Sequence, residues 1–146
     1  IIIMLMAMAT IFGNAMTLEQ VPERIASAIL SFTENKIAIL LLINLLLLWV
    51  GTFMEALAAI VILTPILLPL VLKVGVDPIH FGVIMVVNLA IGFVTPPVGV
   101  NLFVASGITK VKIEQVSRAA VPFLIAMLVV LGFVTFVPEI SLFLID

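Results

Sequence analysis

Residues 95–97 read Thr95-Pro96-Pro97, with Gly92 three positions before and Gly99 two positions after. No other stretch limits the fold of this chain so strongly. Two consecutive prolines remove two consecutive backbone donors, and each pushes the residue before it out of the helical region. The two glycines add backbone freedom at the margins. A regular helix is therefore not expected through 92–99. Yet residues 81–91 and 100–108, on either side, are membrane-like in composition. Residues 79–107 together are long enough to cross a bilayer. The expected element, over 74–108, is a discontinuous transmembrane helix broken at 92–99, with its unwound centre at mid-bilayer. Asp77-Pro78 supplies its start, with the acid as cap and proline at the first helical position.

The solvent in this reading is lipid. Of the 146 residues, 65% are hydrophobic and only 10% charged, and the mean hydropathy is +1.51. A soluble chain of this size could not cover so much apolar surface with polar groups. The net charge of −2 and the lack of a basic patch give no reason to invoke nucleic acid. The chain has no cysteine, which excludes disulfides, thiolate metal sites and cysteine nucleophiles.

A second constraint lies in residues 37–73. Up to Leu72 this stretch is apolar apart from Asn44, Thr52, Glu55 and Thr64. It is too short for two full spans, too long for one upright helix, and has no polar loop at its centre. What it has there is Gly51-Thr52 and the acid Glu55, with Pro65 and Pro69 in its second half. A re-entrant hairpin fits these lengths: it enters the bilayer, turns at depth and leaves on the same side. One long, kinked span is the competing reading. Turning backbone at depth requires surrounding protein or a water-filled cavity.

The remaining segments frame these two. Residues 1–16 form an apolar run with no charged flank, expected to be the end of a truncated transmembrane helix. Residues 17–36 carry Thr17 and Gln20 in a capping-box pattern, and a stripe of Leu18, Val21, Ile25, Ile29 and Phe32. That pattern predicts an amphipathic helix, either an interfacial arm on the membrane surface or a helix packed on its own protein. Residues 109–146 are expected to hold a polar loop up to Arg118 and then a final span. The loop's Lys110, Lys112 and Arg118 suggest the cytoplasmic side.

Two facing breaks at depth would each expose backbone groups that need partners. In secondary transporters such groups hold substrate and ions: half-helix N-termini face anions, and freed carbonyls coordinate sodium. Sodium takes hard oxygen ligands. The candidates are Thr52, Glu55, Asn88, Thr95 and the backbone around Gly51, Gly92 and Gly99. Each has a plainer alternative. Glu55 could be a structural acid at the hairpin tip, and Asn88 could simply bond across helices. Thr64 is expected to bond its own helix, Trp49 to pack or anchor, and His80 to be a surface or capping residue. No paired carboxylates, Ser–His–Asp set, metal-ligand cluster or phosphate-binding glycine loop supports enzyme chemistry or ATP hydrolysis.

At the level of motifs, Gly51-Thr-Phe-Met-Glu-Ala-Leu-Ala-Ala-Ile, Leu63-Thr-Pro-Ile-Leu-Leu-Pro, and the run from Gly75-Val-Asp-Pro through Asn88 to Thr95-Pro-Pro-Val-Gly-Val-Asn resemble one family. So do Arg118-Ala-Ala-Val-Pro-Phe and Pro138-Glu-Ile-Ser-Leu. It is the large membrane (permease) subunit of tripartite ATP-independent periplasmic (TRAP) transporters, and the likeness is to its C-terminal part. The resemblance implies an all-α integral membrane fold, half of an elevator-type member of the ion-transporter superfamily. It implies sodium-coupled import of organic acids, such as C4-dicarboxylates or sialic acid, across the bacterial inner membrane, with no resident cofactor. Its partners would be a small membrane subunit, a periplasmic binding protein and the rest of the large subunit. Sodium would be held at Gly51, Thr52, Glu55, Asn88, Gly92, Thr95 and Gly99, and the substrate carboxylate at Thr95, Pro96, Pro97 and Gly99. Rival readings are another sodium/dicarboxylate symporter of the same architecture, and a non-transporting scaffold subunit.

Overall fold

The structure is a computed structural model that describes residues 4, 7–8, 11–12, 14–15, 18–33, 35–96 and 99–143. Among them every regular element is a helix: α1 (Val21–Phe32), α2 (Lys36–Gly51), α3 (Ala56–Lys73), α4 (Pro78–Gly92), α5 (Val100–Thr109), α6 (Ile113–Phe136) and α7 (Pro138–Leu142). Two of these, α3 and α6, are long and apolar enough to cross a membrane. The truncated span expected over 1–16 lies largely outside the described residues.

Helices α2 and α4 form the centre. Helix α2 buries a stripe of Ile39, Leu40, Ile43, Asn44, Leu47 and Val50. It meets Phe81, Ile84, Met85, Asn88 and Leu89 of α4. The spacing of three and four along both helices is what makes each stripe one face. The opposite face of α2 is equally apolar but uncovered: Leu45 is 70% and Trp49 65% exposed. A helix that is hydrophobic all round and half uncovered belongs in lipid or against further protein.

The chain reverses between α2 and α3. At the far end Lys36 Nζ donates to the Gly75 carbonyl at 3.1 Å, so the start of α2 stands beside the loop that follows α3. Helices α2 and α4 consequently run parallel, and α3 returns antiparallel to both. Helix α3 stays helical through Pro65 and Pro69, and Thr64 Oγ1 donates to the Ile60 carbonyl at 2.6 Å. With 16 and 15 residues, α2 and α4 would each rise roughly 22–24 Å, short of a ~30 Å hydrocarbon core.

Two sequence expectations change. The amphipathic helix is shorter than 17–36: it starts at Val21, after Gln20 adopts a left-handed φ of 53°. Thr17, the expected cap, lies outside the described residues. Helix α1 packs on α3, with Ile29 against the core. The expected final span, α6, in turn starts at Ile113 inside the expected polar loop. Glu114 in its first turn suits the positive end of the helix dipole, and good helix formers continue to Arg118. Pro122 then falls in the third turn of a helix already under way, where it removes one backbone bond without ending it.

At the ends of α2 and α4 the backbones touch. A Cβ placed on Gly92 would lie 2.5 Å from Gly51 Cα and 2.7 Å from the Gly51 carbonyl oxygen. On Gly51 the tightest contact would be a milder 3.2 Å, to Gly92 Cα and Leu89 Cα. Gly92→Ala in the full-length protein should therefore force the two helices apart and cost about 1–3 kcal/mol, the usual range for overpacking. Thermal unfolding in detergent should rank the loss Gly92→Ala above Gly51→Ala. Gly82→Ala, where a Cβ meets nothing within 4 Å, should give no loss.

Candidate functional site

The site begins where α2 and α4 end. Both helices stop within contact of each other, at Gly51 and Gly92, and the chain resumes as α3 at Ala56 and α5 at Val100. The two intervening segments are themselves joined: the Gly99 amide donates to the Thr52 carbonyl at 3.2 Å. Four helix termini thus converge. Two are C-termini, whose last carbonyls carry partial negative charge, and two are N-termini, whose first amides carry partial positive charge.

Each segment is tied back to the helix it leaves. Thr52 N and Phe53 N donate to Trp49 and Val50, and Thr95 N donates to the Gly92 carbonyl at 3.0 Å. Asn101 N donates to the Phe93 carbonyl at 3.1 Å, which ties the first turn of α5 to the residue after α4. Gly99 sits at a φ of +48°, with the Thr95 carbonyl oxygen 3.0 Å from where a Cβ would stand. Among the described residues of the site, this is the place where the left-handed backbone demands glycine.

The two threonines share an orientation. Thr52 Oγ1 donates to the Trp49 carbonyl and Thr95 Oγ1 to the Ile91 carbonyl, both at 2.8 Å. A hydroxyl has one hydrogen and two lone pairs. With its hydrogen directed back at its own helix, each oxygen presents only acceptor character elsewhere, as a cation requires of its ligands.

Glu55 is at the same tip but exposed. Its Oε2 accepts from the Ala58 amide at 3.0 Å, so it caps α3. The N-terminus of α5 has no side-chain cap, since Gly99 occupies that position. Of the two N-termini, only that of α3 already carries a carboxylate. Pro96 is exposed beside α5; Pro97 lies outside the described residues.

Asn88 is placed differently. It lies one helical turn before Gly92 and is fully buried. Its Nδ2 donates to Asn44 Oδ1 and to the Ile84 carbonyl, both at 2.8 Å. Asn44 Nδ2 donates in turn to Thr135 Oγ1 at 2.9 Å. Asn88 Oδ1 is buried with no donor reaching it among the described residues. An acceptor left so costs about 1–3 kcal/mol relative to a paired one.

His80 is buried rather than at the surface, at 2% exposure. Its Nε2 lies 3.3 Å from the Thr135 carbonyl and its Nδ1 3.0 Å from Ser141 Oγ. A carbonyl only accepts, so Nε2 carries a hydrogen. Pro138 begins the next helix and breaks the backbone pattern, and His80 provides a donor to a carbonyl in the last turn of α6.

The structure therefore brings Gly51, Thr52, Gly92, Thr95 and Gly99 together. Glu55 stands at the rim, and Asn88 lies a turn away in a polar ladder. Asn44, Thr135 and Ser141 escaped sequence reasoning as site neighbours. Asn44 was visible as an amide in an apolar run, but nothing in the sequence pairs it with a threonine 91 positions later.

The family model described as "Tripartite ATP-independent periplasmic transporter, DctM component" matches residues 1–140. Among curated relatives, the isethionate TRAP transporter permease protein DctMQ of Oleidesulfovibrio alaskensis is 70% identical over 142 residues, covering 97% of this chain and 22% of that protein. The C4-dicarboxylate TRAP transporter large permease protein DctM of Pseudomonas aeruginosa is 46% identical over 138 residues, covering 94% of this chain and 32% of that protein. The sialic acid TRAP transporter large permease protein SiaM of Vibrio cholerae is 41% identical over 144 residues, 98% of this chain and 34% of that protein. The chain thus spans between about a fifth and a third of the length of these relatives.

Gly99→Ala tests the loop. A side chain in the left-handed region costs about 1–2 kcal/mol, and this one would also meet Leu102 Cδ1 at 2.9 Å. Hydrogen–deuterium exchange of the full-length protein should quicken across 93–102 and stay unchanged in α1.

Proposed function

Because the chain belongs to the DctM component family of tripartite ATP-independent periplasmic transporters, we propose that it is the part of a large permease subunit that binds the coupling ion and the substrate's acid group. The whole protein would import an organic acid across the bacterial inner membrane, driven by sodium. Isethionate, C4-dicarboxylates and sialic acid are named for its relatives, and all three are organic acids. The chain would work with the remainder of the large subunit, a small membrane subunit and a periplasmic binding protein.

One observation carries this reading: two parallel helices end in contact and two others start beside them. Paired C-termini favour a cation, and the uncapped N-terminus of α5 favours an anion. Oppositely charged ligands held this close would help each other bind, which is what coupled transport requires. In this reading sodium lies against carbonyls of the 51–55 turn and the 93–99 loop, with Thr52 and Thr95 hydroxyls as further ligands. Asn88 approaches from the α4 side and Glu55 adds negative potential from the rim. The substrate carboxylate faces 95–99 and the first amides of α5.

Residues 37–73 act as a re-entrant hairpin and 74–108 as its partner broken helix. The lengths of α2 and α4 support this, since neither reaches across a bilayer alone. Helix α1 lies along the membrane surface and braces α3. The hairpin and broken helix move together as the carrier element of an elevator.

The test is uptake of labelled organic acid by the full-length complex in proteoliposomes at graded sodium. Thr95→Ala and Asn88→Ala should each raise the sodium needed for half-maximal uptake by about fivefold or more, the effect of losing one ligand worth roughly 1 kcal/mol. Wild-type sodium dependence in both variants would overturn the site.

A further inference from the structure

The buried ladder that ends on Asn88 has a feature that helix packing alone does not require. Three hydrogen bonds fix an amide so that its oxygen is left over. Asn88 uses both Nδ2 hydrogens, on Asn44 Oδ1 and on the Ile84 carbonyl. Turning the amide over would set Oδ1 against two oxygens instead, so this orientation is held from both sides. Asn44 can present its own Oδ1 to Asn88 only while its Nδ2 has an acceptor, and that acceptor is Thr135 Oγ1. Thr135 sits in the last turn of α6, where His80 of α4 holds its carbonyl.

We infer that Asn44 and Thr135 are positioning residues: through two hydrogen bonds they keep the Asn88 carbonyl oxygen turned away from protein donors and available to a monovalent cation. The inference rests on the sodium reading of Asn88 given above. The chemistry of the cluster favours that class of ligand. All its oxygens are neutral, whereas divalent ions in proteins are generally held with carboxylates. Asn88 is fully buried, Thr135 is 1% exposed and Asn44 7%, so solvent does not supply the missing partner freely. The same bonds connect α6 to α2 and α4. Helix α6 thereby sets the geometry of a binding amide without touching the ion.

Thr135→Val keeps the shape and removes the acceptor, and Thr135→Ser keeps the acceptor. In the full-length complex, Thr135→Val should raise the sodium concentration for half-maximal uptake about three- to tenfold, the effect of one neutral hydrogen bond. The substrate KM at saturating sodium should change less, and Thr135→Ser should restore the wild-type sodium dependence. Asn44→Leu gives a second test: it keeps the volume but removes both the acceptor for Asn88 Nδ2 and the donor to Thr135. Its sodium dependence should shift in the same direction as that of Thr135→Val.

A fall in thermal stability or maximal rate, with sodium dependence unchanged in both Thr135→Val and Asn44→Leu, would make the ladder a structural staple and overturn the inference. Two further results separate it from its premise. If Asn88→Ala shifts sodium dependence but Thr135→Val does not, only the positioning role falls. If Asn88→Ala has no effect either, the sodium reading of Asn88 falls with it. Uptake that depends on no monovalent cation, whether sodium, lithium or potassium, would assign the Asn88 oxygen to a buried water and also overturn the inference.

Discussion

The contact between the Gly51 and Gly92 backbones is the constraint on which the rest of the structure depends. In water two helices would gain by hiding apolar faces from solvent. In lipid that gain largely vanishes, because the surrounding chains are as apolar as leucine. What remains is close packing and buried polar bonding. Helices α2 and α4 use both, glycine against glycine at one end and Asn44 to Asn88 midway. A side chain at Gly92 would keep the helix ends apart. With the ends apart, the Thr52 carbonyl could not accept from the Gly99 amide, and the two loops would separate.

That contact also arranges charge. Each loop interrupts a helix, so each leaves one C-terminus and one N-terminus. Parallel α2 and α4 put like ends together, and joining the loops brings opposite ends close. Helix ends arranged this way carry partial charges of both signs with few ionised residues in the apolar interior. Glu55, the acid at this tip, is exposed and already caps α3. The N-terminus of α5 has no such side-chain cap.

How much of this the sequence discloses depends on whether the cause is local. The break between α4 and α5 is local: Gly92, Pro96, Pro97 and Gly99 specify it without help, and α4 stops at Gly92 while α5 resumes at Val100. The Asp77 cap and the Thr64 backbone bond are equally local. The start of α6 was misread because Glu114 to Arg118 look like a loop by polarity, although they are sound helix formers that emerge from the apolar zone. His80 resembled a loop residue by neighbourhood, yet it is buried because α6 ends against it. The Asn88–Asn44–Thr135 ladder joins residues 44 and 91 positions apart, and no periodicity in one strand of sequence encodes such a meeting. Local chemistry shows where the backbone must open. Which side chains gather behind the opening is a property of packing.

The most direct measurement is an experimental density map of the full-length subunit in sodium, at a resolution that resolves carbonyl oxygens. The expected result is Gly51 and Gly92 in backbone contact, with ion density against carbonyls of the 51–55 turn and the 93–99 loop. A continuous helix from α2 into α3, or helix ends separated by intervening side chains with no ion between the loops, would contradict it.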